Sequence, residues 1–237
     1  MSQWRDLPLK PPSEGVGKPD IVEWKSFVRA VLEVTILGYQ WMRQKSIARL
    51  KWEEDHFTTN LEDCMRPFAY KIGVTVVSQI ASYTPKMKAG EESIREAKVL
   101  DLRLWGHWEN YHQVHFVWEC KRVAPKHKGS NTYKDLIPEY ISEGMFRFLD
   151  EEYAVGLSDA GMLGYVLAGD VPSIVRGINR SMTSSRRERK LDITENLRQA
   201  DPIGTFTDVY LSCHKRAVSR SLVQIHHMFL KFDFINQ

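Results

Sequence analysis

The run HFVWECKRV, residues 115–123, is the most informative stretch for the fold. It is short and apolar, yet it has charged residues near its centre. Its composition is typical of a strand, and side chains on a strand alternate between the two faces of a sheet. Glu119 and Lys121 therefore project from one face, while Phe116, Trp118 and Cys120 project from the other, which should be core. Ionised groups in an apolar strand are costly unless they are paired or bind a metal, so this run predicts a site.

An acid on a second strand-like stretch extends this pattern. Asp101 lies within KVLDLRLW, residues 98–105, and the turn-like GHWEN separates this stretch from the first one. Because both stretches are strongly apolar and lie close in sequence, we expect Asp101 to meet Glu119 and Lys121 on neighbouring strands. The alternative is a purely structural Glu119–Lys121 ion pair buried at the edge of a sheet.

The pattern resembles the PD-(D/E)xK nuclease superfamily, which has the restriction-endonuclease-like fold. The motif here is Asp101 followed by Glu119-Cys120-Lys121, and Leu100 replaces the Pro that often precedes the first acid. The resemblance implies a Mg²⁺ site, where Mn²⁺ can substitute, with ligands from Asp101, Glu119 and the backbone carbonyl of Cys120. It also implies hydrolysis of phosphodiester bonds, in which Lys121 orients the attacking water or stabilises charge on the phosphate.

The order of the predicted elements agrees with that superfamily over residues 51–168. We therefore expect an α/β fold, a restriction-endonuclease-like mixed sheet with an αβββαβ core flanked by helices. Residues 140–148 and 161–166 also resemble a group of bacterial nuclease-like proteins found among phage-defence genes. The predicted core elements are a helix at 51–70, strands at 71–78, 98–105 and 112–123, a helix at 133–150 and a strand at 161–167.

The remainder of the chain divides into an arm, an extension and the end of the domain. Residues 1–19 contain four prolines and predict a flexible arm. Residues 20–50 predict an N-terminal helical extension, and residues 51–237 are assigned to the nuclease domain. Its last part is expected to contain a helix at 171–178, a mobile polar segment at 181–201, and strands at 205–213 and 222–234.

The first helix of the core supplies a fourth acid. At about 100° per residue, Glu54 projects about 20° from Leu61, near the middle of the apolar stripe. Glu53, Glu62 and Asp63 fall away from that stripe. Many members of the superfamily have an acid on this helix that reaches the metal site, which makes Glu54 the candidate for both catalysis and metal binding. Equally, Glu54 can be a helix-start residue that the helix dipole favours.

Contacts with nucleic acid are expected from the second core helix and from two basic segments. Tyr140, Glu143 and Arg147 line one flank of that helix, although the same flank can be solvated or hold an Arg147–Glu143 ion pair. Residues 180–190 include five basic residues and one acid, a pattern that suits phosphate binding near a nuclease site. The predicted contacts are Tyr140, Arg147, Lys126, Lys128, Arg186 and Arg187.

Composition places the chain among ordinary folded proteins. It has 237 residues, of which 43% are hydrophobic and 27% charged, and its net charge of +3 is too small to indicate nucleic acid by itself. Three separated cysteines without a CxxC pair predict neither disulfides nor a zinc site, which suits the cytoplasm. No signal-peptide pattern or bilayer-spanning run is visible, so no membrane association is expected.

The expected partner is nucleic acid, with DNA favoured over RNA. No separate target-recognition domain is visible, which favours low specificity or an activating or targeting partner protein. A homodimer would suit double-strand cutting. One rival reading is a catalytically silent nuclease-fold module that binds nucleic acid or a partner. Another is a nucleophile–base pair from Cys213 or Ser212 with a nearby histidine, which the absence of a Gly-x-Ser-x-Gly elbow disfavours.

Overall fold

The computed structural model describes residues 21–82, 87, 89–91, 93, 95, 97–106, 115–125, 135–189, 195–232 and 234, with the side chains at 21, 82 and 185–189 outside this set. Within these residues the chain is an α/β protein built on a seven-stranded mixed sheet. The predicted fold class is therefore confirmed at this level. The predicted arm and the contacts Lys126 and Lys128 lie outside the described residues.

The elements follow the predicted order closely. The two long N-terminal helices precede three strands, and a composite helical segment joins the third strand to the fourth. The helices are α1 (Ile21–Gln44), α2 (Glu54–Lys71), α3 (Ile137–Glu139), the π-helix Tyr140–Met145, α4 (Phe146–Leu149) and α5 (Val171–Arg189).

The strands form one sheet in the order β1-β2-β3-β4-β7-β6-β5. The pairs β3–β4 and β4–β7 are parallel, and all other neighbouring pairs are antiparallel. The parallel step from β3 to β4 requires a crossover, which the composite helical segment provides. The strands are β1 (Val74–Ser82), β2 (Lys98–Gly106), β3 (Phe116–Val123), β4 (Asp159–Val166), β5 (Arg198–Gln199), β6 (Val209–Lys215) and β7 (Leu222–Lys231).

Within residues 97–106 and 115–125, the ladder between β2 and β3 is short, and this feature positions the candidate site. The two strands pair from Leu104 with Phe116 to Leu102 with Trp118, whereas β3 continues to pair with β4 as far as Val123. The sheet therefore opens between β2 and β3 beyond Trp118. Polar side chains at that opening can approach one another without interrupting a continuous ladder.

Two hydrophobic cores cover the two faces of the sheet. Helices α1 and α2 contribute to the first, where Phe116, Trp118 and Cys120 of β3 are fully buried. The composite segment and α5 contribute to the second, where Val117 and Val123 of β3 are fully buried. The alternation predicted for residues 115–123 is confirmed.

The prediction of a mobile polar segment at residues 181–201 is wrong for residues 181–189. Helix α5 continues to Arg189, so residues 181–189 are helical rather than a mobile polar segment. Apolar residues at helical spacing explain this continuation, because Ile178 and Met182 of α5 are both fully buried in the second core. Within the described residues, no helix is long and apolar enough to cross a membrane.

Candidate active site

Asp101, Glu119 and Lys121 lie together where the sheet opens between β2 and β3. Their exposed fractions are 7%, 0% and 8%. Oδ2 of Asp101 accepts a hydrogen bond of 2.7 Å from the backbone N–H of Cys120. The Asp101 side chain thereby satisfies a backbone donor on β3 where the ladder to β2 has ended. The structure thus brings the three residues of the sequence motif into one cluster.

The ammonium group of Lys121 lies at the centre of this cluster. Its Nζ donates to Oε1 of Glu54 at 2.7 Å and to the backbone carbonyl of Cys120 at 3.0 Å. The same Nζ lies 2.9 Å from Oε1 of Glu119. Three oxygen atoms, two from β3 and one from the first residue of α2, therefore surround a single buried cation.

Glu54 reaches the cluster from the first residue of α2. Besides its contact with Lys121, its Oε2 accepts a hydrogen bond of 3.3 Å from the backbone N–H of Arg122. The neighbouring Glu53 has a side chain that is 69% exposed, and it pairs with the guanidinium of Arg122 at 2.8 Å. Of the two adjacent acids, the structure brings only Glu54 to Lys121.

Glu119 is the most buried acid of the cluster. Its Oε1 lies 2.9 Å from Nζ of Lys121 and 3.2 Å from Nη1 of Arg147. Neither carboxylate oxygen accepts a hydrogen bond of normal geometry from the described residues. Burial, and then the nearby charge of Asp101, raise the pKa of Glu119 to about 8 against the attraction of the two cations.

The remaining charges of the cluster follow the same balance of burial and opposite charge. Burial raises the pKa of Asp101 and the pKa of Glu54, although Lys121 opposes both shifts. Burial alone would lower the pKa of Lys121, but Glu119, Glu54 and Asp101 together raise it, so the amine stays protonated. The cluster therefore contains two buried acids, Asp101 and Glu119, and the partly exposed Glu54 around a cation that they hold in its charged form.

Arg147 joins the cluster from α4, and Tyr153 fixes its position. Nη1 of Arg147 donates to the hydroxyl of Tyr153 at 2.6 Å, and that hydroxyl donates to the carbonyl of Val99 at 2.7 Å. Tyr153 is only 2% exposed, whereas the side chain of Arg147 is 32% exposed. Arg147 was predicted to contact nucleic acid, and its partial exposure at Glu119 is compatible with that role.

Sequence reasoning missed Tyr153 and the residue that anchors its loop. Arg216 is fully buried, and its guanidinium donates to the carbonyls of Phe148, Ala154 and Leu157 at 2.8 Å each. These bonds hold the loop on either side of Tyr153. No local sequence pattern indicates either residue. Arg216 directly follows β6, which is far from this loop in sequence and meets it only in the folded chain.

The prediction that Tyr140 contacts nucleic acid is wrong. Tyr140 is fully buried, and its hydroxyl lies 2.9 Å from Nδ1 of His227. The prediction assumed a regular α-helix, in which Tyr140 and Arg147 share a flank. Residues Tyr140–Met145 instead form a π-helix, which adds a residue to the turn and rotates Tyr140 away from that flank.

The other predicted contacts are only partly described. Arg186 and Arg187 lie in the last turns of α5, and their side chains are outside the described set. Ser212 and His214 do share a face and hydrogen-bond at 2.7 Å, but both are buried and Ser212 also contacts His227 at 2.8 Å. Their burial does not suit a nucleophile that must meet a substrate.

The donors of the cluster suit a hard divalent cation. Mg²⁺ prefers carboxylate and carbonyl oxygens, and the cluster offers carboxylates from Glu54, Asp101 and Glu119 together with the Cys120 carbonyl. Neither oxygen of Glu119 accepts a hydrogen bond of normal geometry from the described residues, and Oε1 is in contact with the cations of Lys121 and Arg147. Among the described residues, however, no group of three His, Cys, Asp or Glu side chains is arranged to hold a metal. Lys121 lies between Glu54 and Glu119 instead.

The chain was also compared with protein-family models, with curated proteins and with solved structures. None of the three comparisons finds a match. The arrangement of Asp101, Glu119 and Lys121 is therefore the observation on which an assignment has to rest.

Proposed function

We propose that this protein is a Mg²⁺-dependent endonuclease with a restriction-endonuclease-like fold, which hydrolyses phosphodiester bonds of DNA or, less favoured, RNA. The observation that carries the proposal is the convergence of Asp101, Glu119 and Lys121, with Glu54, at the opening between β2 and β3. A structural ion pair needs one acid and one base. A cluster with three acids at one lysine is costly to bury, which favours a functional reason for it.

In this proposal the protein's own residues have distinct roles. Asp101, Glu119, Glu54 and the Cys120 carbonyl would hold the metal ion. When bound, the ion supplies a water of lowered pKa and positive charge for the phosphate. Lys121, protonated beside these acids, orients the water or stabilises the developing negative charge. Arg147, partly exposed beside Glu119, contacts the phosphate backbone on the open side.

The order of elements supports the fold assignment. Helix α2, the strands β1 to β3, a helical crossover and the parallel strand β4 follow the αβββαβ order of the superfamily. The proposal includes a cytoplasmic, bacterial setting in defence against phage or plasmids, which rests only on the resemblance of residues 140–148 and 161–166. An activating or targeting partner would supply the specificity that the chain does not itself suggest, and a homodimer would suit double-strand cutting.

The direct test is a cleavage assay with the purified protein. Supercoiled plasmid, linear duplex, single-stranded DNA and RNA are incubated with Mg²⁺ or Mn²⁺, and EDTA serves as the negative control. We expect cutting that EDTA abolishes and that Glu119→Ala and Lys121→Ala both eliminate. If both variants cut as well as the wild type, the proposed site is wrong.

A second candidate function is a catalytically silent module that binds nucleic acid or a partner protein. The observation that favours it is the position of Lys121, whose ammonium fills the space between the acids. This candidate predicts tight binding of nucleic acid without cutting under any divalent metal. A gel-shift assay beside the cleavage assay separates the two functions.

A further inference from the structure

The three oxygens around Lys121 are also the oxygens that the proposed function assigns to a metal ion. Nζ lies 2.7 Å from Glu54 Oε1, 2.9 Å from Glu119 Oε1 and 3.0 Å from the carbonyl oxygen of Cys120. Asp101, the fourth assigned ligand, is adjacent and bonds to the backbone of Cys120. An ammonium group with three oxygen neighbours satisfies the same electrostatic need as a hard cation.

Lys121 and a metal ion cannot occupy this position together. Mg²⁺ coordinates oxygen at about 2.0–2.1 Å, so an ion bound to the same three oxygens would take the space that the ammonium fills. The two cations would also repel each other in surroundings that contain little water. Lys121 is 8% exposed, so solvent does little to screen that repulsion.

We infer that the ammonium of Lys121 occupies the cation position in the metal-free protein, and that metal loading requires its exchange out of the three-oxygen position. Lys121 is then a competitor of the metal as well as a contact of the phosphate. Its charge keeps the acids together while metal is absent and sets a threshold concentration for metal binding. This inference rests on the proposed function, because it takes the metal ligands from it.

Arg147 provides a matched comparison, because it is the other cation that contacts Glu119. Its guanidinium lies 3.2 Å from Glu119 Oε1 and is held on its other side by the Tyr153 hydroxyl. No contact of Arg147 with Glu54 or with the Cys120 carbonyl is among the described interactions. Removing Arg147 deletes a nearby positive charge but does not vacate the three-oxygen position.

The test is metal binding without nucleic acid, measured by titration calorimetry with Mn²⁺ on the wild type, Lys121→Met and Arg147→Met. We expect Lys121→Met to bind Mn²⁺ about tenfold more tightly than the wild type or better, and Arg147→Met to differ by less than about threefold. Equal or weaker binding by Lys121→Met, with wild-type binding intact, would overturn the inference and leave the proposed function standing. If none of the three proteins binds Mn²⁺, the metal-dependent function itself fails.

A second measurement uses only the wild type, so it does not depend on whether Lys121→Met folds. Lysine acylation is followed by mass spectrometry with and without saturating Mn²⁺, and the exposed Lys25 of α1 serves as the internal reference. Displacement predicts that Mn²⁺ raises the labelling of Lys121 severalfold relative to Lys25. Unchanged or reduced labelling at a Mn²⁺ concentration that saturates the protein contradicts the exchange.

Discussion

Glu62 and Glu119 are two buried glutamates with opposite surroundings. Glu62, on α2, is 3% exposed, and its oxygens accept bonds from the backbone N–H of Ser78 at 2.9 Å, from the Ser78 hydroxyl, and from Arg66 at 2.6 Å. Glu119 is 0% exposed, and neither of its oxygens accepts a normal hydrogen bond from the described residues. The first carboxylate is hydrogen-bonded as a structural link between α2 and β1, whereas the second faces the cations of Lys121 and Arg147 without a hydrogen bond of normal geometry.

A line of buried neutral groups is also satisfied by contacts within the protein, as Glu62 is. Tyr140, His227, Ser212 and His214 form consecutive contacts of 2.9, 2.8 and 2.7 Å on the face of the second core. Burial lowers the pKa of His214 to about 4 and the pKa of His227 well below its usual value, so both rings are neutral. This histidine line is polar without being charged, unlike the cluster around Lys121. The contrast indicates that retained charge, rather than buried polarity, marks the candidate site.

Exchanging the two glutamates for glutamine should have the largest and most contrasting effects. Glu119→Gln removes a ligand of the proposed metal ion and should lower the proposed cutting activity about 1000-fold or more. Its free energy of unfolding should change little, because the amide keeps the shape of the carboxyl and burial already disfavours the charge that it removes. Cleavage rates and urea unfolding at pH 7 in EDTA measure the two effects.

Glu62→Gln is the matched control and should behave in the reverse way. Its amide replaces one acceptor with a donor, so the protein should lose about 1 to 2 kcal/mol of stability and keep its cutting rate when folded. Most of that loss comes from the Ser78 bonds, because Arg66 is 60% exposed and its ion pair is screened by solvent. If Glu62→Gln impairs cutting as strongly as Glu119→Gln, the distinction between a structural glutamate and a site glutamate is wrong.

The adjacent acids Glu53 and Glu54 at the start of α2 provide a second comparison between an acid outside the site and an acid within it. Glu54→Gln should lower cutting about 30-fold, because Glu54 contacts Lys121 directly. Glu53→Gln should change cutting less than about twofold, since Glu53 forms only an exposed pair with Arg122. Single-turnover cleavage at saturating Mg²⁺ measures both, and equal rates in the two variants would remove Glu54 from the site.

Ser212→Ala tests whether the histidine line is only structural. The Ser212 hydroxyl contacts both His214 and His227, so its loss leaves buried ring nitrogens without that partner. We expect a loss of about 1.5 kcal/mol in unfolding free energy, measured by urea denaturation, with unchanged cutting. A drop in cutting without a drop in stability would link the line to the chemistry.

The pH dependence of stability should show the neutral state of His214. Its folded pKa of about 4 lies below the unfolded value of about 6.5, so the unfolded chain binds more protons and stability falls as pH falls through this window. Between pH 7.5 and 5.5 this histidine should remove about 1.3 kcal/mol. Over the same pH interval, the free energy of unfolding of His214→Gln should fall by about that much less than the free energy of the wild type, because the variant lacks this titrating group. Equal losses in both proteins would mean that the fold does not lower the pKa of His214.

Much of the fold followed from local patterns. Alternation within residues 115–123 correctly assigned Glu119 to one face and Trp118 to the core. Helical spacing identified α1 and α2 within a few residues of their observed ends. These predictions succeed because strand and helix periodicity are properties of the backbone that every neighbouring residue shares.

The errors arose where the environment differed from the pattern. Glu62 fell off the apolar stripe of α2, yet it is buried because β1 also covers that side of the helix. Tyr140 was placed on an exposed flank, yet one π-helical turn rotates it into the core. A helical wheel assumes one covered face and one regular pitch, and neither assumption holds for these two residues.

The sequence alone determined that Asp101, Glu119 and Lys121 stand on adjacent strands, with Glu119 and Lys121 on one face, because period-two alternation is local. Only the tertiary structure decided what fills the space between the acids. The sheet opens beyond Trp118, α2 begins beside the opening, and the Lys121 ammonium bonds to Glu54 and Cys120 there. Long-range packing sets those distances, and the balance between burial and opposite charge then fixes which groups remain charged.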